Sequence, residues 1–219
     1  DGLEVPHREI SAAYLPVDVR ALNVDLLSLG AHKFYGPKGV GALYIRKGTP
    51  ILAQITGGSQ ENAMRSGTSN TPYIVALAKA FELTQAERQL RTSHVNPLRQ
   101  RIIGRILEEI PAARLTGHPE QRLPNHASFV FEHVDGNALL MQLDLAGYAC
   151  SSGSACKTGT PEPSEVLSAA GMPREWALGS LRVTLGVSST PTQIEGFLDT
   201  LPALVANQRA LAKPGLTGS

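Results

Sequence analysis

Val24-Asp25-Leu26-Leu27-Ser28-Leu29-Gly30-Ala31-His32-Lys33-Phe34-Tyr35 is the stretch on which the reading of this chain turns. Val24 to Leu29 reads as a short buried strand, and Gly30 stops it just ahead of His32 and Lys33. Gly36, Gly39 and Gly41 punctuate the loop that follows, and Val40 to Ile45 reads as a second strand. A lysine held between an imidazole and two aromatic rings after a buried strand has a chemical use. Desolvation disfavours the ammonium form, so a lysine in partly apolar surroundings gives up its proton more easily. The neutral amine is then a nucleophile toward an aldehyde. Taken alone, Lys33 is also readable as a solvated surface lysine, the commoner state of the residue. Gly36-Pro37-Lys38-Gly39 lacks the Gly-Lys-Ser/Thr ending of a phosphate-cradling loop.

Outward from there, a polar segment from Thr56 to Asn70 leads to a helix with Thr71 as its N-cap and Pro72 at its first position. Ile74, Leu77, Ala78 and Phe81 recur at helical spacing and define one apolar face. Ile102, Ile103, Ile106, Leu107 and Ile110 repeat the pattern in a second helix, and the two are expected to bridge two regions with a boundary near Asn96-Pro97. Beyond Pro111, short strands alternate with helices. Ala127 to Phe131 and Leu181 to Leu185 read as strands, and Asp135 caps a helix through Leu139, Leu140 and Leu143. Thr190-Pro191-Thr192-Gln193 has the form of a capping box opening the last helix, which Pro202 is expected to kink or end. The Gly/Pro/Ser-rich tail from Lys213 is expected to fray. The mixture is α/β or α+β.

Composition narrows the function classes. The 219 residues carry 20 basic and 19 acidic side chains, a net charge of +1, so no basic excess is available to hold a nucleic-acid backbone. No apolar run approaches the roughly 20 residues that cross a bilayer, and the first residues lack the pattern of a signal peptide. Two cysteines do not make a disulfide framework, which points to a reducing, cytoplasmic setting.

Three more places could carry chemistry. Ser151 to Thr160 is rich in small and hydroxyl residues and contains almost nothing that packs, so Cys156 is expected to be accessible, with Lys157 nearby to favour its thiolate. Cys150 ends an apolar run and reads as a buried structural thiol. The two cysteines lack Cys-x-x-Cys spacing and clustered histidine partners, which argues against a metal. Arg182 lies within Leu181-Arg182-Val183-Thr184-Leu185. Its planar fork suits a carboxylate, whether of a substrate or of an internal ion pair, unless it simply faces solvent on an edge strand. Arg65-Ser66-Gly67-Thr68 groups donors that could hold a phosphate or form an ordinary turn. The histidines at 94, 118, 126 and 133 show no ligand spacing and read as structural or solvated.

In their order along the chain these segments resemble the cysteine desulfurases of the NifS/IscS-like subgroup, in the class V aminotransferases of pyridoxal-phosphate (PLP) fold type I. Ala31 to Tyr44 is similar to the PLP-lysine segment. Gly57-Gly58-Ser59-Gln60-Glu61 with Arg65-Ser66-Gly67-Thr68 resembles the next segment, and Arg122-Leu123-Pro124-Asn125 another. Ser151 to Cys156 with Glu162-Pro163-Ser164 resembles the catalytic-cysteine loop, and Leu181 to Gly186 the arginine strand. The resemblance implies the C-terminal part of a fold type I enzyme: the end of a large-domain sheet, bridging helices and a small α+β domain. It implies that Lys33 links PLP and later moves the substrate Cα proton, and that His32 lies against the cofactor phosphate. Thr68 would serve a phosphate site, usually the other subunit's in a homodimer. Arg182 would bind the carboxylate of L-cysteine, and Cys156 would attack its sulfur to give a persulfide and L-alanine. The persulfide would then pass to an acceptor such as an iron–sulfur scaffold or a tRNA-thiolation protein.

The resemblance runs from about Ala13 to about Leu204. It divides the chain into a non-matching segment 1–12, part of the PLP-binding domain at 13–95, a small domain at 96–212 and a tail at 213–219. Pro6-His7-Arg8-Glu9-Ile10 does not match the family, and Gly30 stands where many members have a serine. The family's pyridine-pairing aspartate and ring-stacking histidine lie ahead of the matched region, so the chain alone is expected to bind PLP poorly. Three readings follow: a desulfurase completed by a portion supplied elsewhere, a non-catalytic remnant that binds partners, or a related lyase such as selenocysteine lyase.

Overall fold

Ala31-His32-Lys33-Phe34 forms one turn of 3-10 helix in the computed structural model, which describes residues 10–152 and 162–212. Residues three apart eclipse one another in a 3-10 helix. Ala31 and Phe34 therefore share the buried side, both fully buried, and His32 and Lys33 share the exposed side. The chain divides into two units, Asp1–Arg91 and Thr92–Ser219.

In the first unit, strand β1 (Leu26–Gly30) enters this turn and β2 (Gly41–Ile45) leaves the loop after it, pairing antiparallel with Leu27 opposite Tyr44. The strand expected to be buried is only partly so: Leu27 is buried and Leu26 is exposed, because a two-stranded ribbon leaves much of its own surface uncovered. Helix α1 (Thr71–Ala86) forms as its periodicity predicts, with one correction. Asn70 is the N-cap, and Thr71 and Pro72 are the first two helical residues, positions whose N–H groups have no helical acceptor in any case. Its expected apolar face is covered only toward the C-terminal end. There the Phe81 ring meets Phe34 edge-to-face at 5.7 Å, and Thr84 Oγ1 donates to the Phe34 carbonyl at 3.0 Å. Tyr73, Ile74 and Val75 remain exposed, since no described residue of this unit supplies a layer over them.

Helix α2 (Arg88–Glu109) continues through Pro97. In the second unit, α2 buries Val95, Ile102 and Ile106. Strands β3 (Ala113–Leu115), β4 (His126–Phe131) and a later β5 form an antiparallel sheet in the order β3-β4-β5. Between β4 and β5 lie α3 (Gly136–Leu145), α4 (Glu165–Ala169) and α5 (Arg174–Ala177); β5 is Ser180–Thr184, and α6 (Pro191–Ala212) closes the unit. Asp135 caps α3 as expected, accepting from the Asn137 and Ala138 N–H groups. The capping box at α6 is complete: Thr190 N–H donates to Gln193 Oε1 at 2.9 Å, and Gln193 N–H to Thr190 Oγ1 at 3.3 Å. Pro202 does not end α6, which runs on to Ala212.

The period of two along β4 and β5 makes the two faces of this sheet different. Ala127, Phe129 and Phe131 with Leu181 and Val183 are buried, and each large ring or leucine so buried contributes about 1.5–3 kcal/mol. Ile194, Phe197, Leu198, Leu201 and Val205 form the buried stripe of α6, which packs with α3. The opposite face holds His126, Ser128 and Val130 paired with Thr184, Arg182 and Ser180. Leu167, Trp176 and Ala177 from α4 and α5 cover the Val130 end. Among the described residues they leave the end with Arg182 exposed.

Candidate active site

The first unit displays the lysine and the histidine on an anchored turn. Tyr35 ends the turn in the left-handed region at φ 68°. Its hydroxyl lies 2.9 Å from that of Tyr14, and the Arg91 guanidinium sits 5.9 Å from its ring. Gly36 must be small: an added Cβ would come within 3.1 Å of Ala31 and Ala80 atoms. These contacts hold the buried side, and His32 and Lys33 project from the other. The partly apolar surroundings expected for Lys33 are not formed by the described residues of this unit, whose apolar groups pack beneath the turn; the Lys33 side chain is exposed. Gly30 leaves room for the imidazole, since a Cβ there would stand 3.3 Å from His32 Cε1.

The segment proposed to hold a phosphate is largely committed to itself. Ser66 is buried, and both its N–H, at 3.1 Å, and its hydroxyl, at 2.8 Å, donate to the Ile55 carbonyl. The Gly67 N–H donates to Gln60 Oε1 at 3.2 Å, and Arg65 Nη1 to the Ser66 carbonyl at 3.1 Å. Arg65, Gly67 and Thr68 are exposed. The Ser66 hydroxyl and the Gly67 N–H are thus already satisfied within the turn and are not donors left over for an anion.

In the second unit, Arg182 is an exposed position of an edge strand. The substrate-carboxylate and solvent-face readings are both compatible with that, whereas the internal ion pair is not formed among the described residues. Ser151 pairs with Arg182 as an isolated antiparallel bridge. Ser151 N–H donates to the Arg182 carbonyl at 3.1 Å, Arg182 N–H to the Ser151 carbonyl at 2.6 Å, and Arg182 Nη2 to Ser151 Oγ at 3.0 Å. Ser152, next along, is buried. Cys156 and Lys157 lie outside the described residues. Further along, Ser164 caps α4, accepting from the Leu167 N–H at 3.5 Å, and Leu167 is buried in the cluster on Val130. Both ends of the cysteine segment are thus fastened to one sheet, the first at β5 and the second over β4.

Electrostatics separate the groups around this face. Burial first, then the Arg182 and Arg122 guanidinium charges, hold the His126 imidazole below its ordinary value. Burial pushes the Cys150 thiol up to about 11, which suits the inert role expected of it, although its side chain is half-buried rather than sealed. His94 lies 2.9 Å from the Ser189 carbonyl, and His118 Nδ1 accepts the Glu120 and Gln121 N–H groups at 3.1 and 2.9 Å. Spacing along the chain showed neither the charged neighbours of His126 nor the strand partner of Ser151. The alternation of β4 and β5 puts His126 on the same face as Arg182, a signal present in the sequence. The Ser151 bridge joins residues 31 apart and left no such signal.

The chain belongs to the class V aminotransferase family, whose model matches residues 11–197. It is similar to cysteine desulfurases called IscS: 45% identical over 199 residues to that of Methanosarcina thermophila, covering 91% of this chain and 49% of the relative. To that of Dictyoglomus turgidum it is 45% identical over 202 residues, covering 92% of this chain and 51% of the relative. Among solved structures it resembles a NifS-like protein at 34% identity and TM-score 0.80, covering 90% of this chain and 50% of the other. It also resembles the NifS-like protein of Rickettsia africae at 26% identity and TM-score 0.81, covering 91% of this chain and 52% of the other. The chain spans about half the length of the relatives it matches. The fold is that of the corresponding part of a PLP fold type I enzyme.

Proposed function

We propose that this chain carries the nucleophile and the substrate-carboxylate group of a PLP-dependent cysteine desulfurase, acting as a homodimer in the cytoplasm. The observation that supports this reading is the bridge between Ser151 and Arg182, which hangs the cysteine segment on the strand position that carries the guanidinium. The residues present fit the cofactor. The Lys33 amine is exposed and engaged by no other described residue, as condensation with an aldehyde requires, and His32 projects beside it to offer a donor for a phosphate. Thr68 is exposed and available to the phosphate of a partner subunit. When bound, PLP supplies an electron sink for the substrate carbon.

The chain's own residues would do the rest. Arg182 holds the carboxylate of L-cysteine in a bidentate fork, and Lys33 Nζ moves the proton at the substrate Cα. Cys156 Sγ, as the thiolate, attacks the substrate sulfur: an S–S bond forms as the Cβ–S bond breaks. The electron pair stays with the carbon fragment, which takes up protons and leaves as L-alanine. The outer sulfur of the Cys156 persulfide then passes to an acceptor protein, an iron–sulfur scaffold or a tRNA-thiolation protein.

The test is sulfide release from L-cysteine by the protein isolated from its source cells. Cys156→Ala is expected to lose it by roughly a hundredfold or more, with the visible absorption of bound PLP retained. Lys33→Ala is expected to lose both. Unchanged release by Cys156→Ala would sink the assignment.

A further inference from the structure

We infer that Ser151 is a positioning residue for Arg182, joining the grip on the substrate carboxylate to the root of the cysteine segment. The inference rests on the carboxylate role proposed above for Arg182.

Directly opposed residues of an antiparallel pair that exchange both backbone hydrogen bonds put their side chains on the same face. Ser151 and Arg182 are such a pair, with N–H···O distances of 3.1 and 2.6 Å. On the other side of Arg182, Ser128 of β4 is its partner in register. A row therefore crosses the sheet, Ser128, Arg182, Ser151, with the guanidinium between two hydroxyl-bearing residues. Only Ser151 bonds the guanidinium in the described structure, Nη2 donating to its Oγ at 3.0 Å. The Ser151 hydroxyl has an acceptor for its own proton in the Ser152 carbonyl at 3.4 Å, which leaves its lone pairs to Arg182.

An exposed arginine has many rotamers to choose among, and one fixed acceptor near its tip narrows the choice before a carboxylate arrives. With Nη2 on Ser151, the fork keeps its other donors for the two carboxylate oxygens. The acceptor stands at the start of the segment that carries Cys156, and Ser152 beside it is buried and donates to Asn137 Oδ1 at 3.4 Å, which fixes that start to α3. The same residue thus sets where the carboxylate is held and where the nucleophile's tether begins.

Ser151→Ala removes only the hydroxyl and keeps both backbone bonds of the bridge, so it tests orientation and not folding. Its KM for L-cysteine is expected to rise roughly three- to tenfold with kcat within about twofold, the pattern of lost substrate binding. Ser151→Thr, which restores the hydroxyl, is expected to return KM to the wild-type range. A second readout needs no turnover: the 15N relaxation of the Arg182 Nε–H, with arginine-selective labelling, is expected to report a more mobile guanidinium in Ser151→Ala and a wild-type one in Ser151→Thr. If Arg182→Lys leaves KM for L-cysteine unchanged, the carboxylate role itself is wrong and this inference falls with it. If Arg182→Lys raises KM while Ser151→Ala changes neither KM nor the mobility of Arg182, the desulfurase reading stands and the positioning role of Ser151 is overturned.

Discussion

The His126 imidazole is held below its ordinary value in the folded chain for reasons visible around it. It is partly buried on β4, with the positive charges of Arg182 and Arg122 adding to the cost of a third. The unfolded chain has no such neighbours, so below the ordinary value of 6.5 it takes up a proton that the folded chain resists. Stability contributed here is present above about pH 6.5 and is lost as the pH falls through the lower folded value. The urea midpoint of the wild type is expected to drop more between about pH 7.5 and about pH 5 than that of His126→Gln. Equal losses in the two proteins would show that the imidazole is not the group responsible.

Elements fixed by neighbouring residues were legible in the sequence, and those fixed by distant ones were not. The caps of α3 and α6 were readable because donor and acceptor stand within three residues of each other. Thr190→Ala is expected to cost about 1 kcal/mol in chemical denaturation by removing one such acceptor, and Thr190→Ser to restore most of it. A loss below about 0.3 kcal/mol would mean that the box contributes little beside the packing of α6. That helix has other support: Arg101 and Arg105 from α2 meet Glu195, and Arg105 also meets Asp199. The apolar period of α1 was equally legible, yet it did not tell whether a covering layer stood over Ile74. Ser66 looked like a phosphate donor until its hydroxyl was found on the Ile55 carbonyl, eleven residues away. Pro202, expected to kink or end the last helix, lies inside one that runs on to Ala212, and Pro97 lies inside α2. A proline removes one N–H donor and crowds one turn, and the packing of Ile102 or Leu201 can outweigh that in a long helix.

The chain spans about half the length of the relatives it matches, and the residues proposed to carry the chemistry fall in two units. One presents Lys33 and His32 on an anchored turn, and the other fastens both ends of the cysteine segment to the sheet that bears Arg182. In the proposed reaction Cys156, and not Cys150, takes the sulfur. The two thiols stand close together in sequence. Burial pushes Cys150 up to about 11, so near neutral pH it stays protonated and is a poor nucleophile. The direct measurement is mass spectrometry of the protein isolated from its source cells, briefly exposed to L-cysteine, alkylated and digested without reductant. The account predicts one added sulfur atom on the peptide that contains Cys156 and none on Cys150, with the label absent from Cys156→Ala. Added sulfur on Cys150, or L-alanine formed at the wild-type rate by Cys156→Ala, would contradict it.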